Sequence, residues 1–153
     1  MVSNFQPKDE STPEAKAKLL EKKVNVLLEE SILASYRQDL KLALEKGKEA
    51  ISKEKSLNNQ KERLSNSSEG IAVNSDLTFA VQFNLGIQYT RSGMFNEALN
   101  TFTTIVKNRS FANSGRIKLN IGNIYFLQGN FAKAIKFYRM ALDQVANTHK
   151  DLR

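Results

Sequence analysis

The sequence predicts an all-α fold of stacked antiparallel helical hairpins, an α-solenoid, and three observations predict it. Apolar residues recur at three- and four-residue intervals, the period of an amphipathic helix. Only two prolines, Pro7 and Pro13, interrupt 153 residues, so long helices meet few breaks. The second half repeats itself: positions from Asn84 onward return from Asn120 onward, a period of 36. Such self-similarity marks units that must stack because none buries its apolar face alone.

Taken in order, residues 1–12 are expected to be a disordered amino terminus. Thr12-Pro13-Glu14 reads as a helix start: a hydroxyl to cap free amides, proline at the first helical position, and a carboxylate near the positive dipole end. Leu20, Val24, Leu27, Leu28 and Ile32 then form one apolar stripe. Continuing that seam reaches Ser31, Ala34 and Gln38, where a coiled coil would want Leu or Ile. Small residues there suit close packing against a second helix. Gln38-Asp39 offers the break and the next cap, and Leu40, Ala43, Leu44, Gly47, Ala50 and Ile51 make the second stripe. Residues 13–57 are therefore expected to form a helical hairpin. Residues 58–76 are expected to be a linker: positions 65–76 have loop composition, and the last of them can cap another helix.

The repeat is the strongest signal. Asn84-Leu85-Gly86-Ile87-Gln88-Tyr89 returns as Asn120-Ile121-Gly122-Asn123-Ile124-Tyr125. Gly93-Met94-Phe95-Asn96-Glu97-Ala98-Leu99 returns as Gly129-Asn130-Phe131-Ala132-Lys133-Ala134-Ile135, and Phe102 falls opposite Tyr138. Each position has a mechanical reason. Gly86 and Gly122 let the first helix of a unit approach the second, where Ala98 and Ala134 are also small. Tyr89 with Phe102, and Tyr125 with Tyr138, fill the space between helices. Gly93 and Gly129 end the first helix, where a left-handed residue without a Cβ costs least.

This pattern resembles the tetratricopeptide repeat, which implies repeats at 77–112 and 113–148 and a truncated start of another at 149–153. The two residues beyond the usual 34 fit best in the turn around 109–114. Gln82, Ile105, Ser110 and Ala146 depart from the pattern. On the same template Ser31, Ala34, Ala43 and Ala50 take the small positions, so 13–57 reads as a degenerate tetratricopeptide-like hairpin. A stack ending at Arg153 would need a cap or more chain, and self-association through an uncapped last hairpin is a further expectation.

Longer blocks resemble one family within that class, the tetratricopeptide subunit of intraflagellar transport complex B. They are the blocks beginning Glu21-Lys22-Lys23-Val24, Asp39-Leu40-Lys41-Leu42, Glu97-Ala98-Leu99 and Ala134-Ile135-Lys136-Phe137-Tyr138-Arg139-Met140. The resemblance implies an amino-terminal portion of a non-catalytic scaffold needed for cilium and flagellum assembly. It implies a place in the cytoplasm, the cilium or flagellum and the basal body. The implied partners are extended peptide segments of other complex B core subunits. The repeat template puts the partner-binding groove at Phe83, Ile87, Thr90, Arg91, Arg116, Leu119, Asn123, Phe126 and Leu127. Packing against neighbouring hairpins is the other reading of Phe83, Ile87 and Leu119. Chaperone-binding relatives use a basic residue and Asn as a carboxylate clamp; Phe83 and Ile87 stand there instead.

Composition narrows the alternatives. There is no cysteine and one histidine, His149, with no nucleophile beside it, and no Gly-rich phosphate loop; neither an enzyme, a cofactor nor a metal site is expected. No apolar run approaches the roughly 20 residues of a membrane helix, so no direct membrane insertion is expected. The net charge of +7 lies mostly in the second half: from Lys107 onward, nine Lys or Arg face only Asp143 and Asp151. That field suits an acidic partner. Without a recognition motif, nucleic acid is not the expected one. Two rival readings remain, an adaptor of another pathway and a basic microtubule- or membrane-binding module.

Overall fold

The computed structural model describes residues 12–66, 71–111 and 114–150. Six α-helices run through them, α1 (Pro13–Tyr36), α2 (Leu40–Ser65), α3 (Ser75–Arg91), α4 (Phe95–Lys107), α5 (Gly115–Leu127) and α6 (Phe131–Lys150). They pack as three consecutive antiparallel hairpins, α1 with α2, α3 with α4 and α5 with α6, each stacked on the next. The all-α solenoid expected from the sequence is the fold observed.

Local chemistry fixes the helix ends. Thr12 Oγ1 accepts from the Ala15 amide (3.2 Å), Asp39 Oδ1 from Leu42 (3.1 Å) and Asn74 Oδ1 from Leu77 (3.1 Å). Each satisfies an amide that a helix start would leave without a partner. The three hairpin turns are built alike. Asp39 N donates to Ala34 O (3.0 Å), Met94 N to Tyr89 O (2.9 Å) and Asn130 N to Tyr125 O (2.8 Å). In each turn the residue before the donor is left-handed: Gln38 at φ 64°, Gly93 at 73° and Gly129 at 76°. This is the closing bond of a Schellman turn. The first hairpin thus shares its turn with the two repeats and differs in placing a side chain where they place glycine.

Two apolar cores flank α3. Ala17, Val24, Leu27, Ala50, Leu57, Leu77 and Val81 join α1, α2 and α3. Ala98, Phe102, Ile105, Ile117, Ile121 and Ile124 join α4 and α5, with Phe79 and Phe83 packed against them. Between the cores runs a buried polar seam. Ser31 Oγ donates to Ala43 O (2.7 Å) and accepts from Asn84 Nδ2 (2.9 Å), while Gln88 Nε2 donates to Asn84 Oδ1 (3.0 Å). The bare Gly47 lies over this seam: an added Cβ would stand 3.3 Å from Ser31 Oγ and 3.4 Å from Asn84 Nδ2. Such polar contacts fix the register of α3 on the first hairpin, since misplacing them strands buried donors.

Three expectations need correction. The linker does not begin at 58, because α2 continues to Ser65. Lys61 is buried in that stretch and pairs with Glu21 of α1 at 2.9 Å, and Asn58 Nδ2 donates to Thr78 Oγ1 of α3 at 3.5 Å, so tertiary contacts override the low helix propensity of Asn58 and Asn59. The linker's other end also gives way early, since α3 opens at Ser75. Residues 149–150 do not open a new helix; they extend α6, there being no turn residue at 148 to stop it. Residues 151–153, and 1–11 of the expected disordered terminus, lie outside the described residues.

Candidate partner-binding groove

The site grows from glycines. Gly86 faces Phe102 so closely that an added Cβ would lie 2.6 Å from the ring, and Gly122 faces Tyr138 at the same distance. At both positions an aromatic ring of the second helix occupies the space beside the glycine. Phe102 is fully buried and meets Phe83 edge-on (5.7 Å). Tyr89 faces back toward α2, with Lys48 Nζ over its ring at 5.6 Å. In the second unit Tyr125 stacks on Phe137 (5.6 Å) instead of Tyr138, and the Tyr138 hydroxyl donates to Asn123 Oδ1 (2.9 Å). Ala98 and Ala134 are buried where helix meets helix.

With these rings inside, the first helices of successive units, α3 and α5, present their other faces side by side. Ile87, Thr90, Arg91, Asn120, Asn123, Phe126 and Leu127 line one open groove of about 380 Å³. Six of the nine candidate residues converge there. Ile87 is half-buried at the base, and Phe126 and Leu127 are more than half exposed (54% and 58%). Thr90 Oγ1 is turned inward to donate to Gly86 O (2.9 Å). Asn120 Nδ2 donates to Arg116 O (2.7 Å). Arg91 is held at one wall by Ser35 Oγ (2.7 Å) and Gln38 Oε1 (3.1 Å). A cation fixed by neutral partners keeps its charge for an incoming acceptor.

The remaining three candidates lie elsewhere. Phe83 stacks on Phe79 (5.5 Å) under the Arg116 guanidinium (5.1 Å) and serves the α3–α5 packing. Arg116 and Leu119 line a second, almost wholly apolar depression of about 510 Å³ with Gly115, Tyr138, Ala141, Leu142 and Val145. Thirty-six positions earlier, Phe79, Phe83, Phe102, Ile105 and Val106 make the surface on which α5 packs. The depression is therefore the next copy of the stacking surface. Asn120, which the repeat template does not assign to the groove, also lines it; its place one turn before Asn123 and two before Leu127 puts it on their face.

Among the described residues no group of three or more His, Cys, Asp or Glu could hold a metal, and no helix is long and apolar enough to cross a membrane. The Lys61 ammonium beside Glu21, with Asn74 assisting, holds that carboxyl below its ordinary value of 4.5. Glu30 pushes the Lys46 ammonium upward. Both pairs lie on the first hairpin and tie its helices together.

Stacked hairpins, two of them with glycine at the turn, and a groove on successive first helices define a helical-repeat protein with a tetratricopeptide-like fold. The tetratricopeptide repeat family model matches residues 116–144, within the second unit. Over 152 residues, 99% of its length, the chain is 51% identical to Intraflagellar transport protein 88 homolog of Homo sapiens. The likeness to an intraflagellar transport subunit, expected from the sequence blocks, is thereby borne out. The chain spans 18% of the length of that relative. Among solved structures, MamA MSR-1 C2 superposes with a TM-score of 0.45 at 17% identity, over 89% of this chain and 88% of that one.

Proposed function

We propose that this chain is a non-catalytic segment of an intraflagellar transport scaffold, and that its α3–α5 groove holds an extended segment of another complex B subunit. The observation that carries the reading is the convergence of Ile87, Phe126 and Leu127 with Thr90, Asn120, Asn123 and Arg91 in one open channel. An extended peptide offers side chains to an apolar floor and backbone groups to polar walls, and this lining supplies both. The similarity to an intraflagellar transport protein supports a place in the cilium or flagellum, and the proposal extends it to the basal body and cytoplasm.

The test is a pull-down from ciliated cells with a longer piece of the protein. Co-purified complex B subunits that are lost when Phe126 and Leu127 become Asp, and that persist at physiological salt, support the groove. Binding that collapses between low and physiological ionic strength, and that ignores those substitutions, belongs to the basic 107–153 surface instead. The apolar depression on α5 and α6 supports occupation by one more helix. Whether a second copy supplies it is tested by Leu142→Glu, which then abolishes self-association.

A further inference from the structure

The outer face of α1 carries a pattern that the groove does not use. Leu19, Val26 and Leu33 are 70%, 52% and 54% exposed, on the side of the helix away from buried Ala17, Val24, Leu27, Ser31 and Ala34. They are spaced seven apart, so they drift only about 20° per step and form a straight line roughly 21 Å long. Charges flank this line in two blocks of opposite sign. Lys22 and Lys23 are exposed on the Leu19 side of Val26, and Glu29 and Glu30 on the Leu33 side. Glu30 also bridges Lys46 at 3.1 Å, yet its side chain remains 46% exposed.

This pattern is symmetric about Val26. Leu19 and Leu33 lie equally far from it, and each lysine has a glutamate seven positions later. We infer that α1 is a self-complementary interface on which two copies of this chain pair antiparallel, with Val26 meeting Val26 across a two-fold axis. In that arrangement Leu19 of one copy meets Leu33 of the other. Helical positions at 100° per residue then place Lys22 beside Glu29 on one flank and Lys23 beside Glu30 on the other. A parallel pairing would set lysine beside lysine and glutamate beside glutamate, so charge selects the antiparallel one. A two-fold contact requires one surface to complement itself, and the two charge blocks meet that requirement. The strip is narrower than a standard interface of about 800 Å² per partner, which places the dimer in the weak, micromolar class.

Sedimentation velocity over a concentration series tests this directly. The chain is expected to pass from monomer to dimer across the micromolar range. Val26→Glu raises the dimer Kd at least about tenfold while circular dichroism stays unchanged. The decisive arm uses two charge variants, K22E/K23E and E29K/E30K. Each alone is expected to stay monomeric, and an equal mixture is expected to form a heterodimer. A chain that remains monomeric throughout the range overturns the proposal. So does a dimer that survives V26E and is dissolved by L142E, which would assign self-association to the α5–α6 face, or a mixture that fails to pair although wild type does.

Discussion

Gly86 and Gly122 occupy equivalent repeat positions, yet alanine should act differently at the two. Alanine in a helix interior gains about 1 kcal/mol over glycine from backbone entropy. Against this stands the ring each Cβ would strike. At Gly86 the new carbon lies 2.6 to 2.9 Å from three atoms of Phe102. Phe102 is fully buried and edge-on to Phe83, so the ring has nowhere to go, and overpacking costs about 2–3 kcal/mol, the upper part of its usual range. The net loss for Gly86→Ala is then about 1–2 kcal/mol, or roughly 2–8 °C in Tm for a chain of this size. At Gly122 the obstacle is Tyr138, half-buried with its hydroxyl on exposed Asn123. That ring can swing outward, so Gly122→Ala should be close to neutral. Thermal unfolding followed at 222 nm decides the matter. A Gly86→Ala variant at least as stable as wild type, or a Gly122→Ala variant that loses more than Gly86→Ala, would refute the reasoning.

The other predictions concern the first hairpin. Gln38→Gly removes a left-handed side-chain position, worth about 1 kcal/mol, and loses only the exposed bond to Arg91; urea denaturation should show a gain. Glu21→Ala strands the buried Lys61 ammonium and should cost about 1–3 kcal/mol, whereas Lys61→Met, which buries an apolar chain in its place, should cost less. Because the folded Glu21 carboxyl titrates below 4.5, its contribution is complete above 4.5 and fades as pH falls through the lower folded value. An acid titration of Glu21→Gln should lack that part of the stability loss, and an unchanged acid profile would remove Glu21 from the account.

The positions that sequence made legible are those where backbone geometry leaves few choices. Gly93 and Gly129 were readable because a left-handed turn nearly demands glycine, and Gly86 and Gly122 because each lies where an aromatic ring of the next helix comes close. Gln38 takes the same turn without glycine, so its break was visible and its conformation was not. The α2 extension through 58–65 was hidden because Asn58 and Asn59 carry loop propensity, while the contacts of Asn58 with Thr78 and of buried Lys61 with Glu21 are non-local. Period 36 placed Ile87, Thr90, Asn123, Phe126 and Leu127 on one face, since helical phase is a sequence property. It could not tell that Phe83 would be taken up by Phe79 and Phe102, or that Arg116 and Leu119 would fall on the stacking surface. Those outcomes depend on the offset between α3 and α5, set by Ile117, Ile121 and Ile124 packing on α4. Ser31 was legible as a small packing residue, but its hydrogen bonds with Asn84 and, through it, Gln88 gave no signal, because buried polar residues look like exposed ones until their partners are known.

A photoreactive amino acid placed at Asn123, compared with one at Thr104 on the exposed side of α4, measures occupancy of the groove most directly. Complex B partner chains should cross-link at Asn123 and not at Thr104, through a contiguous extended segment identified by mass spectrometry. Capture at Thr104 alone, or equal capture at both, would contradict a scaffold that grips its partners along α3 and α5.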